Sequence, residues 1–299
     1  MSISPFTVPG DGVLISDGGL ATELEARGHD LSDDLWSARV LAEDPAEIVA
    51  VHEAFFRAGG QIATTASYQA SFEGFARRGV GRADAERLMR RSVELAKSAR
   101  DASSTPAWVA ASVGPYGAML ANGEEYVGRY GLSVAELTAW HRPRLEVLTA
   151  VDPDVLALET IPDSDEAEAL VGLVREFRIP AWLSYTIAGD RTRAGQPLED
   201  AFAVAADVSE IVAVGVNCCA PADVLAAVIT ARRVTGKPVI VYPNSGEVWD
   251  GANRVWVGTP GLDATLAAQW VDAGARIVGG CCRVRPDAIA AMAAAVGAR

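Results

Sequence analysis

Basic residues are scarce in this chain. Across its 299 residues, 26 lysines and arginines face 39 aspartates and glutamates, a net charge of −13. Nucleic acids and anionic membranes are held by basic surface, so neither is an expected partner. Histidine is scarcer still: there are three, His29, His52 and His141, far apart in the sequence. Long apolar runs are missing too, and none approaches the roughly 20 residues that span a bilayer. The opening Met1-Ser2-Ile3-Ser4-Pro5 has no basic region followed by an apolar stretch. No secretory leader is therefore expected, and the cytoplasm is the expected compartment. A Gly-rich phosphate turn is also lacking, since Asp17-Gly18-Gly19-Leu20 does not have the dinucleotide spacing. Cysteines number only four. In a reducing compartment, clustered cysteines are more often metal ligands or catalytic thiols than disulfides.

What is present is an alternation. Short apolar, β-branched runs occupy residues 13–16, 61–65, 107–112, 154–159, 181–186, 211–217, 238–242 and 276–280. Nearly continuous apolar runs suit parallel strands buried on both faces. Helical patterns lie between and after them, at 45–58, 82–100, 133–150, 164–177, 198–208, 221–233, 262–273 and 286–296. Ser133 and Glu136 form a capping box at the third of these. Strand and helix alternating eight times predicts an α/β fold, a (β/α)8 TIM barrel, with residues 1–299 as one domain. A doubly wound open sheet is the runner-up, and the missing glycine fingerprint counts against it. The loop 114–131 is the longest between a strand and its helix, a length often used for lids.

In a barrel, the C-terminal ends of the strands line the active-site mouth. Those positions hold Asp17; Thr64, Thr65 and Tyr68; Ser112; Glu159; Asn217 and Cys218; Asn244; and Cys281 and Cys282. Cys218 and the Cys281-Cys282 pair end the sixth and eighth strands and face the same mouth. Three thiolates with no nearby histidine favour zinc, with a fourth coordination position left open. Two glycines before Cys281 would let the chain turn tightly enough for both thiols to reach one ion. Core packing or a redox pair remain alternatives on the residues alone. Cys219 reads as packing, because its neighbour already points to the mouth. Asp17 and Glu159 each end an apolar strand, where a carboxylate needs a partner. That partner is either a substrate ammonium or a loop arginine such as Arg193 or Arg283. Trp36 and Tyr68 are candidates for stacking on a cation.

Several segments together resemble the homocysteine S-methyltransferase family, over essentially the whole chain. They are Asp17-Gly18-Gly19-Leu20-Ala21-Thr22-Glu23-Leu24, Thr64-Thr65-Ala66-Ser67-Tyr68-Gln69, Gly114-Pro115-Tyr116-Gly117, Glu159-Thr160, Gly215-Val216-Asn217-Cys218, Tyr242-Pro243-Asn244-Ser245-Gly246-Glu247 and Gly279-Gly280-Cys281-Cys282-Arg283. The resemblance implies a zinc barrel with Cys218, Cys281 and Cys282 as ligands. It implies that Asp17 and Glu159 hold the homocysteine amino group, with Thr64 near the carboxylate. Similar chains usually continue Cys-Cys-Arg-Thr-Thr-Pro, whereas this one reads Cys281-Cys282-Arg283-Val284-Arg285-Pro286.

The expected reaction is zinc-dependent methyl transfer from a sulfonium donor to homocysteine, forming methionine. Relatives that use folate carry further domains. Those that use betaine carry a long extension where 17 residues follow Cys282 here. That leaves S-methylmethionine or S-adenosylmethionine, and the missing nucleotide fingerprint favours the former. Further substrate contacts are expected from Asn217, Ser112, Tyr68 and Trp36. A monomer or small homo-oligomer is expected. The alternative is a zinc- or amino-acid-binding barrel that has lost turnover, with Val284 and Arg285 as its mark. A zinc lyase or hydrolase would want a basic group beside the metal, and no histidine ends a predicted strand.

Overall fold

The computed structural model describes residues 6–31, 37–250 and 255–297. Eight parallel strands form the barrel: β1 (Leu14–Ile15), β2 (Ile62–Thr64), β3 (Trp108–Val113), β4 (Val155–Ile161), β5 (Ala181–Tyr185), β6 (Ile211–Asn217), β7 (Val239–Tyr242) and β8 (Ala275–Val278). Each pairs with its sequence neighbour, and β1 pairs with β8. A parallel bridge between Ser16 and Ile62 closes β1 onto β2. Gln61 N–H donates to the Ile15 carbonyl at 2.6 Å, and Asp17 N–H to that of Ile62 at 3.1 Å. The barrel expected from the alternation is the observed fold.

Alternation of side chains along the strands divides the core in two. Leu14, Ile62, Ala110, Val155, Trp182, Ile240 and Ile277 fill the barrel interior, with Phe6 packed among them. Phe6 meets Trp108 edge-on at 5.9 Å between ring centroids. The larger cluster lies between strands and helices, where Ile15, Val109, Leu156, Leu183, Val214 and Val278 meet Phe55, Met89, Leu145, Leu170, Val228 and Trp270.

All eight expected helices form, seven of them within two residues of the expected bounds. Leu198–Ala203 stops short of residue 208, and residues 204–207 run on as turns. Ala264–Ala273 starts later than expected because Asp263 caps it, accepting Thr265 N–H at 2.8 Å. The capping box is present: Ser133 Oγ accepts Glu136 N–H, and Glu136 accepts Ser133 N–H at 2.8 Å. Short elements escaped the sequence reading. Helices Leu20–Ala26, Ser37–Glu43, Phe72–Ala76 and Tyr116–Leu120 and a 3-10 turn, Glu124–Tyr126, sit in the strand-to-helix loops. So do two hairpins, Ile187–Ala188 with Arg191–Thr192 and Val248–Asp250 with Val255–Val257. No helix among the described residues is long and apolar enough to cross a membrane.

Candidate metal and substrate site

Three sulfur atoms meet at the C-terminal mouth of the barrel. Cys218 leaves the end of β6, while Cys281 and Cys282 follow β8, with β7 between the two strands. The ligand atoms of all three lie within 4.8 Å of one another. Cys218 Sγ is 3.6 Å from Cys282 Sγ, and Cys281 Sγ is 3.9 Å from it. A tetrahedral ion with metal–sulfur bonds of about 2.3 Å sets its sulfurs about 3.8 Å apart. The spacing therefore fits one ion of zinc's size.

The backbone holds the sulfurs there. Cys281 N–H donates to Pro243 at 2.8 Å, Cys282 N–H to Asn244 Oδ1 at 3.1 Å and Cys218 N–H to Tyr242 at 3.2 Å. Cys218 has φ 51°, Thr160 φ 58° and Arg283 φ 66°, left-handed values unusual for residues with side chains. Such strain clusters where surroundings over-determine a functional geometry. The glycines before Cys281 have a different use from the one expected. Neither takes a left-handed φ. A Cβ on Gly279 would sit 2.7 Å from Ser16 Cβ, and one on Gly280 would collide with Val284. Close packing demands them, not turn conformation.

Within the cluster, charge collects on Cys218. Donation from Cys281 and Cys282 holds its thiol well below the usual range despite burial, while those two are pushed up. The Tyr126 hydroxyl lies 3.1 Å from Cys218 Sγ. Cys219 is buried in the outer core, as expected for packing, and burial raises its thiol.

Asp17 and Glu159 lie on the same rim, 3% and 7% exposed. Asp17 accepts the N–H of Thr64 at 2.6 Å and its hydroxyl at 2.8 Å. Glu159 accepts the Ser112 hydroxyl. Burial nonetheless pushes each carboxyl up to about 7, and the charge of Asp17 adds to the rise at Glu159. Among the described residues, no arginine pairs with either one. Arg283 bonds Glu247 at 3.1 Å instead, and Arg193 lies over the Tyr126 ring at 5.7 Å.

The remaining expected residues divide. Ser112 and Thr64 are committed to the two carboxylates. Asn217 is turned into the barrel wall: its Oδ1 accepts Thr160 N–H at 2.7 Å and Ser184 Oγ at 2.8 Å, and its Nδ2 donates to Thr160 Oγ1 at 2.7 Å. It fixes the turn after Glu159. Tyr68 stands at the mouth, near enough to Glu125, Cys218 and Glu159 for their charges to hold its hydroxyl protonated, on top of a larger effect of burial. Trp36 lies outside the described residues. Val284 is buried against Gly280, and Arg285 bonds Glu23 at 3.0 Å. Both altered positions are thus engaged in packing and pairing.

Sequence reasoning missed Glu125 and Tyr126. They sit on the 3-10 turn of the loop 114–131, which meets Cys218 through the Tyr126 hydroxyl. An aperiodic segment gives no register from which to read a facing side chain.

The chain matches the homocysteine S-methyltransferase family model over residues 14–296. It is 46% identical over 293 residues to a homocysteine S-methyltransferase of Escherichia coli strain K12, covering 94% of each chain. Homocysteine S-methyltransferase 4 of Zea mays is 44% identical over 312 residues, covering 97% of this chain and 91% of the maize one. The metallated form of the homocysteine methyltransferase MmuM from Escherichia coli superposes with a TM-score of 0.86 at 44% identity, covering 95% of this chain and 96% of that one.

Proposed function

Because this chain belongs to the homocysteine S-methyltransferase family, we propose that it methylates homocysteine, taking the methyl group from a sulfonium donor. S-methylmethionine is favoured over S-adenosylmethionine, and methionine is the product. Residues 1–299 act as one homocysteine-binding barrel domain, with Cys218, Cys281 and Cys282 as ligands of a zinc ion. The observation that carries this reading is the meeting of three sulfurs within 4.8 Å of one another with two buried carboxylates on one rim that no arginine pairs among the described residues.

A zinc ion held there supplies a Lewis acid that keeps the substrate thiol deprotonated at neutral pH. The chain's own residues do the positioning. Asp17 and Glu159 take the homocysteine ammonium, which provides the partner their burial demands. Thr64 and Ser112 aim the two carboxylates by hydrogen bonds. The homocysteine sulfur then attacks the donor's methyl carbon in line. One carbon–sulfur bond forms as the other breaks, and its electron pair leaves with the donor sulfur as a neutral thioether. A leaving sulfur already positive needs no proton, so this step needs no general acid. Alignment of the two substrates supplies much of the rate.

The reading that turnover has been lost gains nothing from the structure, since Val284 and Arg285 are engaged in structural contacts. The test is methionine formation from homocysteine with S-methylmethionine, S-adenosylmethionine or betaine, each with and without a zinc chelator. Activity with the sulfoniums that is lost on chelation is expected. Cys281→Ser should lose both the metal and at least 100-fold in activity, on the order of what a displaced reacting group costs. Full activity of metal-free protein, or activity with betaine alone, would overturn the proposal.

A further inference from the structure

Glu125 is 4% exposed, and its Oε2 is buried with no hydrogen-bond partner among the described residues. A carboxylate without a counter-charge is costly in such a place. Its position is fixed on both sides. Gly117 packs so closely under the turn that a Cβ there would lie 2.6 Å from the backbone of Glu124 and Glu125. The next residue, Tyr126, is anchored at Cys218. Glu125 thus lies beside the thiols, and burial, with the charge of Cys218 adding, pushes its carboxyl up to about 7, the state of a buried carboxyl that lacks a cation. Glu166 also has a buried oxygen without a partner, but its other oxygen is held by His141 at 2.8 Å and Tyr116 N–H at 2.6 Å, behind the mouth.

In-line transfer dictates where the donor's positive charge must sit. The methyl carbon lies between the two sulfurs, so the sulfonium sulfur stands one methyl group beyond the attacking thiolate. The loop carrying Glu125 reaches the thiols through the Tyr126 hydroxyl, 3.1 Å from Cys218 Sγ. Resting on the methyltransferase reading above, we propose that Glu125 is the counter-ion of the donor's sulfonium.

The sign of its contribution follows from charge. The donor sulfur is a full cation before transfer and neutral after it, and the attacking thiolate is neutralised as well. The attraction of Glu125 is therefore strongest in the bound ground state and fades through the transition state. It selects and holds a cationic donor without accelerating the chemical step. It also lets the thioether product go, because the attraction vanishes with the charge.

Glu125→Gln keeps the shape and removes the charge. Its KM for S-methylmethionine should rise by roughly 10-fold or more, as when one partner of a buried charge pair is removed. Its kcat should rise, by up to about threefold, because the interaction removed is weaker in the transition state than in the ground state. Homocysteine affinity and zinc content should match the parent protein, which shows that the site is intact. Glu125→Asp should recover part of the KM. Calorimetric titration with 4-dimethylsulfoniobutanoate, which keeps the sulfonium and lacks the ammonium, should show the same loss in Glu125→Gln. A loss confined to S-methylmethionine would assign Glu125 to the donor's ammonium and overturn the proposal, as would an unchanged KM or a kcat that falls with KM constant. If the parent protein transfers no methyl group from any sulfonium, the methyltransferase reading fails. The titration then still judges Glu125 by whether the parent protein binds the sulfonium more tightly than the variant.

Discussion

Glu159 shows what the site costs the fold. Its carboxyl is displaced from 4.5 to about 7 by burial, with the Asp17 charge adding and the Ser112 hydrogen bond opposing. Above pH 4.5 the unfolded chain gives up this proton, while the folded chain keeps it until about pH 7. The group's contribution to stability is therefore complete below pH 4.5 and is lost as pH rises through that window. The slope is about 1.4 kcal/mol per pH unit while the proton is fully retained. Glu159→Gln has no such proton to lose. Its stability relative to the parent should climb between pH 5 and 7.5, by roughly 2–3 kcal/mol, in urea unfolding without substrate. Its KM for homocysteine should rise at least about 30-fold, for want of an ammonium partner. A stability difference that stays flat with pH would show that Glu159 is ionised in the folded chain. Asp17, Glu159 and the three cysteines could be located from sequence because strand ends in a closed barrel converge however far apart they lie in the chain. The commitments of Thr64 and Asn217 could not, because a hydrogen-bond partner depends on neighbouring strands' register.

At the scale of elements, the site depends on loops tied from behind. Arg144, on the helix Val134–Thr149, is 2% exposed. Its guanidinium donates to the carbonyls of Gly114 at 2.9 Å, Tyr68 at 3.1 Å and Ser67 at 3.3 Å. Burial lowers it to about 10, so it stays charged at neutral pH with Glu166 nearby. One side chain thus joins the loop after β2 to the start of the loop that carries Glu125. Arg144→Met would strand those three buried carbonyls, a loss of about 3–5 kcal/mol for charge-assisted hydrogen bonds left unmade. Arg144→Lys should lose less, since a point charge replaces a planar fork. A urea midpoint for Arg144→Met equivalent to under about 1 kcal/mol of destabilisation would contradict this. The barrel strands were legible as nearly continuous apolar runs, and the long helices because their apolar period runs over several turns. Short loop helices such as Tyr116–Leu120 have too few turns to show a period, and tertiary packing decides them.

For the whole molecule, a metal ion on the three thiols would be a tie across the barrel rim. Cys218 and the Cys281-Cys282 pair follow strands that flank β7, so one ion would span three neighbours at the open end of the sheet. Anything that binds the folded chain and not the unfolded one stabilises it by mass action, about 2.7 kcal/mol when free ligand is 100 times its Kd. In a domain of 299 residues each kcal/mol moves Tm by roughly 1.5–2 °C. Reduced protein with zinc should therefore melt roughly 4–5 °C above chelated protein in calorimetry. Coordinating thiols must shed their protons, so the shift should widen from pH 6 to pH 8. This opposes the loss that the buried carboxylates impose over the same range, and it makes the zinc-loaded protein less sensitive to pH than the chelated one. Cys218→Ser removes the ligand on the far side of β7 and should collapse the shift, because the two remaining thiols come from one turn. A shift of the same size in Cys218→Ser would mean that the ion sits elsewhere and that the three sulfurs are not what joins β6 to β8.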